Sequence, residues 1–270
     1  MRRVLFVCLL LLPLAACASP YFGAKLGRMS GSVAVMWVGE NNFVYLPGLH
    51  QEQTFKFETA TTGRLIEPGL MYTDGGSIPR FAQAFTGFSP WGYGPAYIIH
   101  DWIFYGRHCL VDSGLPGQEA YNDAWRFRDV NGDLSLPHGH PRRHAVTFNE
   151  SSLILAEVIK TLIDHGKVQP RSLPGEIISA AVDSPIAATL WDKEGECKGA
   201  RVTPRHIARA WMRAVGHMNG EPPRTWRLSP REIADAKKYK EDAGNFLRQL
   251  SPDLDRPTQK RTAPVVAQAN

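Results

Sequence analysis

The sequence predicts an α+β protein, a small antiparallel sheet packed on helices with an α-helical C-terminal extension. Three observations carry this. Short runs rich in alternating apolar and polar residues, punctuated by Gly, Pro and Asn turns, fill the stretch from about 32 to 66. Helical spacing of apolar residues replaces them further on. Beyond residue 171 only helical patterns recur.

Taken in order, Ser32 to Val38, Phe43 to Leu46, Thr54 to Glu58 and Arg64 to Ile66 read as strands, with TFKFE the cleanest alternation. Ile78 to Phe85 reads as a short helix started at Pro79. A second, PAYIIHDWIFYG, has Pro95 in its first turn and Gly106 at its end. Gln118 to Arg128 is helical in pattern. So is Glu150 to Asp164, which stacks Leu155, Val158, Ile159 and Leu162 on one face and is closed by Gly166. Pro174 to Trp191 is moderately apolar and, with the rest of the C-terminal third, helical in pattern. After Thr203-Pro204, Ile207, Trp211 and Val215 form a stripe beside Arg205, Arg209 and Arg213, a solvated row or one that faces anionic surfaces. Ser229-Pro230-Arg231-Glu232 is a capping box that opens a last helix to about Leu250. The predicted organisation is a leader at 1–16, a tether at 17–30, the α+β domain at 31–170, the helical extension at 171–250 and a polar, proline-punctuated, disordered tail at 251–270.

The leader sets the compartment. Arg2 and Arg3 precede an apolar run from Val4 to Leu14 that is too short to span a bilayer and has the shape of an export signal. It ends in Leu14-Ala15-Ala16-Cys17, which resembles the bacterial lipobox, where the cysteine is acylated and becomes the mature N-terminus. That resemblance implies a lipid anchor on Cys17, and Ala18 after it implies the outer membrane, facing the periplasm. Cleavage after Ala18 instead leaves a soluble periplasmic protein. A formal net charge of +5 is modest, and an exported chain does not meet nucleic acid. With Cys8 in the leader and Cys17 acylated, Cys109 and Cys197 remain. In an oxidising periplasm they pair as a disulfide, or they are two buried thiols.

The chemistry concentrates in residues 95–106. An apolar helix has no structural need for His100 beside Asp101, and burying either unpaired costs roughly 2–7 kcal/mol. Two glycine-rich loops precede the pair. Thr73-Asp74-Gly75-Gly76-Ser77-Ile78-Pro79 lies upstream, and Ser89-Pro90-Trp91-Gly92-Tyr93-Gly94-Pro95 runs into the helix itself. Glycines let backbone carbonyls and amides converge on one point, which suits an oxygen-ligated cation or an oxyanion. Asp74, Gly75, Gly76 and Ser77 are therefore candidate binding residues, or alternatively an Asx turn and a helix cap. His138, His140 and His144 have metal-like spacing in what reads as an exposed loop.

The ordered pair of motifs, YTDGGSIPRF and then SPWGYGPAYIIHDWIFYGR, resembles domain-of-unknown-function family 1353, a bacterial and phage group, over roughly residues 32–165. That family brings no activity with it. Locally, a glycine loop followed by His-Asp on a helix is similar to secreted phospholipase A2. That resemblance implies His100 as general base, Asp101 as a Ca²⁺ ligand and an acid on a facing helix, either Asp123 or Glu150. Phe104 stands where the phospholipase has tyrosine, and the flanking half-cystines are absent.

These readings give an expected function: a lipid-anchored envelope hydrolase with His100, Asp101 and Asp123 at its centre, acting on phospholipid esters. Peptidoglycan is the alternative substrate. A non-enzymatic docking lipoprotein, with the His-Asp pair purely structural, is the alternative of a different class.

Overall fold

A computed structural model describes residues 20–39, 42–48, 53–74, 92–115, 125–168, 172–215 and 220–250. Cys17, Gly75, Gly76, Ser77 and Asp123 lie outside the described residues. So do the expected helix at 78–85, most of that at 118–128 and the tail at 251–270.

Within the described residues the α+β class holds, with two three-stranded antiparallel sheets among helices. The first sheet has the order β1 (Arg28–Ser30), β4 (Lys56–Glu58), β5 (Leu65–Ile66). The second has the order β2 (Val35–Gly39), β3 (Asn42–Tyr45), β6 (Met71–Thr73), in the register Trp37↔Phe43↔Thr73. Successive side chains on a strand point to opposite faces, and β3 and its neighbours use both. Tyr45 and Met71 enter one apolar core with Phe57 and Ile66 of the first sheet. Val44, Met36 and the flanking Leu46 and Leu70 enter another.

The first core is built around two helices. Helix α2 (Gly94–Asp112) contributes Ile98, Ile99, Trp102 and Ile103; α4 (Phe148–Asp164) contributes Leu155, Val158, Ile159 and Leu162, the stripe that helical spacing predicts. Short α3 (Arg128–Asn131) adds Val130, while α5 (Ser172–Val182) and α6 (Pro185–Trp191) close the side with Ile178 and Trp191. The second core holds Ile207 and Trp211 of α7 (Pro204–Val215) with Ala236 of α8 (Pro230–Leu250) and the intervening Trp226.

Three expectations change and one gains detail. Residues 20–30 do not hang free: α1 (Pro20–Gly23) buries Tyr21, and Lys160 donates to the carbonyls of Phe22 and Ala24, followed at once by β1. Helix α2 does not stop at Gly106 but continues to Asp112. Gly106 is there for close approach, since a Cβ would collide with Val130 and Phe127. The stretch from Pro174 to Trp191 is two helices, because Ser184 caps a new one through Ala187 N (3.2 Å) and Pro185 takes its first turn. The helical extension also divides, with α5 and α6 joining the first core and α7 and α8 the second.

The capping box forms as its spacing implies: Ser229 Oγ accepts from Glu232 N (3.3 Å) and Glu232 Oε2 accepts from Ser229 N (2.8 Å). Cys109 of α2 and Cys197 form a disulfide. Asp112, one turn on, accepts from the backbone amides of Gly195 (2.7 Å) and Cys197 (3.0 Å), so the loop is held by a covalent bond and a charge-assisted clamp.

Candidate functional site

Helix α2 is buried on most of its surface. The stripe that reaches solvent starts with the half-buried His100 and Asp101 and continues through Phe104, Arg107 and His108. The fold places the C-terminal end of β6 against this stripe. Thr73 Oγ1 donates to Asp101 Oδ2 at 2.6 Å, and the Asp74 carboxylate lies close enough to act on Asp101 electrostatically. The first residues of the TDGGS motif and the His-Asp helix, far apart in the chain, thus meet.

Two opposite electrostatic outcomes follow. Burial pushes the Asp101 carboxyl up and the negative charge of Asp74 pushes it further, against the hydrogen bond from Thr73, to about 7. Burial pushes the His100 imidazole down to about 4, so the ring is neutral at physiological pH. His100 stacks on Phe104 with centroids 4.5 Å apart, and Phe104 in turn meets Trp191 edge-on at 4.9 Å, which fixes the ring. Its Nε2 atom is covered and has no hydrogen-bond partner among the described residues. Buried polar atoms are nearly always paired, so an orphan of this kind marks a place where water or a ligand completes the structure.

The facing acid is absent from what is described. Glu150 stands at the first turn of α4, where its carboxylate accepts from Arg64 Nε (3.1 Å) and Thr62 Oγ1 (3.3 Å); it does not pair with His100 Nε2. Asp123, the other candidate, lies outside the described residues, as do Gly75, Gly76 and Ser77. Ca²⁺ takes six to eight oxygen ligands. Asp101 and Asp74 with the Thr73 hydroxyl make a smaller set, and no cluster of three His, Cys, Asp or Glu suited to a metal occurs among the described residues. His140 of the histidine-rich loop caps a short 3-10 turn by accepting from Arg142 N (3.2 Å).

Two residues escape sequence reading, one at the β6–α2 junction and one on the far side of α2. Thr73 was visible only as the threonine of a turn motif, although its register opposite Phe43 aims it at α2. Asp129, with no motif around it, is buried beneath α2 and accepts from Trp102 Nε1 (3.1 Å), Glu67 N (2.9 Å) and Arg227 Nη1 (3.1 Å).

Comparison with family models, curated proteins and solved structures finds no match, so the site is read from its own geometry. No helix among the described residues is long and apolar enough to cross a membrane.

Proposed function

We propose that this protein is an outer-membrane lipoprotein, held at the periplasmic face through Cys17, that hydrolyses an ester of envelope lipid at the junction of β6 and α2. The observation that carries this reading is the covered, unpaired Nε2 of His100 beside the Thr73–Asp101 bond. A general base or acid works best when it titrates near the working pH, and that describes Asp101 better than His100. The roles expected from the phospholipase resemblance are accordingly exchanged. Asp101 takes a proton from a water as the water oxygen attacks the ester carbon, then returns it to the departing alkoxide, giving acid and alcohol. Neutral His100 holds that water or the substrate oxygen through Nε2. Two exposed side chains a few residues beyond the anchor support a lipid substrate: Phe22, 67% exposed on α1, and Leu26, 51% exposed just after it.

A glycan of the cell wall is the second reading, favoured by a specific row of side chains. Trp37, 71% exposed, pairs across the sheet with Phe43, which pairs with Thr73, the residue bonded to Asp101. An exposed indole two strands from the Thr73–Asp101 bond, with the partly buried Phe43 between, suits a sugar ring.

Purified mature protein, assayed on phospholipid vesicles and on peptidoglycan, separates the two. Release of fatty acid supports the first and release of soluble muropeptides the second. Both activities fall on the order of 10²-fold or more in Asp101→Asn and in His100→Asn. Turnover unchanged in both folded variants, or no turnover by the wild type on either substrate, removes the hydrolase and leaves a docking lipoprotein.

A further inference from the structure

A cavity of about 500 Å³ opens beside β5, α3 and the turn at Pro141–Arg143. It lies toward Trp102 of α2, about 200° round the helix from His100, and is thus separate from the β6–α2 junction. Its volume falls within the range of small-molecule sites, roughly 300–1,000 Å³.

The floor is charged but balanced. Arg227 pairs with Asp129 at 3.1 Å and Arg64 with Glu150 at 3.1 Å, while Glu67 on the wall pairs with Lys56 at 3.3 Å. Arg227 is the one non-glycine residue with positive φ (53°) among those described. This sparsely populated conformation is tolerated while the Arg227 guanidinium bonds Arg126 O and Asp129 at once, and such outliers cluster at functional sites.

The mouth is not balanced. Arg128 and Arg142 line it and have no ion pair or guanidinium hydrogen bond among the described residues; the carboxylate near both, Asp133, is held below the usual range first by Ser135 and only then by the two guanidiniums. Asp133 is itself engaged by Ser135 through Oγ (2.6 Å) and N (3.0 Å). Two available guanidiniums therefore converge where one engaged carboxylate stands. Beside them Trp125 and Leu65, 45% and 42% exposed, offer apolar wall.

We propose that this cavity binds a phosphate monoester attached to a ring or an apolar group. Such a phosphate carries close to two negative charges near neutrality and presents oxygens to two guanidinium forks, while the organic part covers Trp125 and Leu65. The same chemistry occurs in a lipid headgroup and in soluble organic phosphates. Titration calorimetry of the mature protein with phenyl phosphate, dihexanoyl phosphatidic acid and inorganic phosphate tests the site and tells the sources apart. The expected result is that at least one organic probe binds about tenfold or more tighter than inorganic phosphate. Binding of the phosphatidic acid alone assigns a headgroup, and binding of phenyl phosphate assigns a soluble ligand. Arg128→Gln and Arg142→Gln each weaken that binding about tenfold, as expected for loss of one charge-assisted bond of about 1.4 kcal/mol. Trp125→Ala weakens the organic probes and leaves inorganic phosphate unchanged. The proposal fails if no probe binds at millimolar concentration, or if the doubly substituted protein, with its fold intact by circular dichroism, binds as the wild type does.

Discussion

The hydroxyl of Thr73 reaches Asp101 Oδ2 across 2.6 Å, so the last residue of β6 is bonded to the middle of α2 and Asp74, next in the chain, is placed against the same carboxyl. This contact makes one site of two sequence motifs and sets the conditions under which Asp101 can change its charge.

Asp101→Asn is expected to separate stability from activity. The folded carboxyl sits near 7 against 3.8 in the unfolded chain, a raised value, so the native state binds the extra proton and loses stability as pH rises from about 4 to 7. The amide keeps the shape and carries no charge. Its melting temperature should exceed that of the wild type at pH 8 and match it at pH 4, while hydrolysis is lost. A variant less stable than wild type at pH 8 contradicts this account of Asp101.

Thr73→Val removes the one hydrogen bond that favours the Asp101 carboxylate while preserving side-chain volume. The acid limb of the pH–rate profile should move upward, on the order of one pH unit. Measured rates from pH 5 to 9 give the midpoint; a fixed limb assigns the titration to another group.

His100 works with the opposite sign. Its folded value of about 4 lies below the 6.5 of the unfolded chain, so its contribution is present above pH 6.5 and drains away as pH falls toward 4. His100→Phe keeps an aromatic ring against Phe104 and cannot protonate. Denaturant titrations at pH 7 and pH 4.5 should show a smaller acid loss for the variant, together with loss of turnover.

Cys109 and Cys197 close a loop across a separation of 88 residues. Replacing both by serine should cost up to about 4.6 kcal/mol on chain-entropy grounds, read as a lower midpoint in urea. The Asp112 clamp on Gly195 and Cys197 remains in that variant, so the fold should persist at 25 °C.

The elements most legible in the sequence were those whose signal is local. The Ser229–Glu232 box and the Leu155–Leu162 stripe need only their own turns to form, and both appear as their spacing implies. Gly106 misled because a glycine near a helix end has the same letter whether it terminates the helix or admits a neighbour; here Val130 decides, from a segment 24 positions on. Strands β1 and β6 were missed because, unlike β4 inside TFKFE, they carry no alternation in their own sequence, and each exists by virtue of its partner, β4 for one and β3 for the other. In the site, His100 and Asp101 stood out in the sequence because an apolar helix has no reason of its own to carry them. Their roles could not, since these depend on how deeply each polar tip is covered and on Thr73 and Asp74 beside them.

The sheet formed by β2, β3 and β6 has apolar residues sunk into both sides, Tyr45 and Met71 one way, Val44 and Met36 the other. A chain cut after Trp191 would leave Val44, Leu46 and Leu70 facing water with no cover from Ile207 or Trp211. The shorter piece would then unzip from the strand that positions Thr73. The terminal helices, through His206 on the Tyr72 hydroxyl of β6 (2.7 Å), are thus wedded to the geometry around Thr73, and heating should melt both halves in a single cooperative transition.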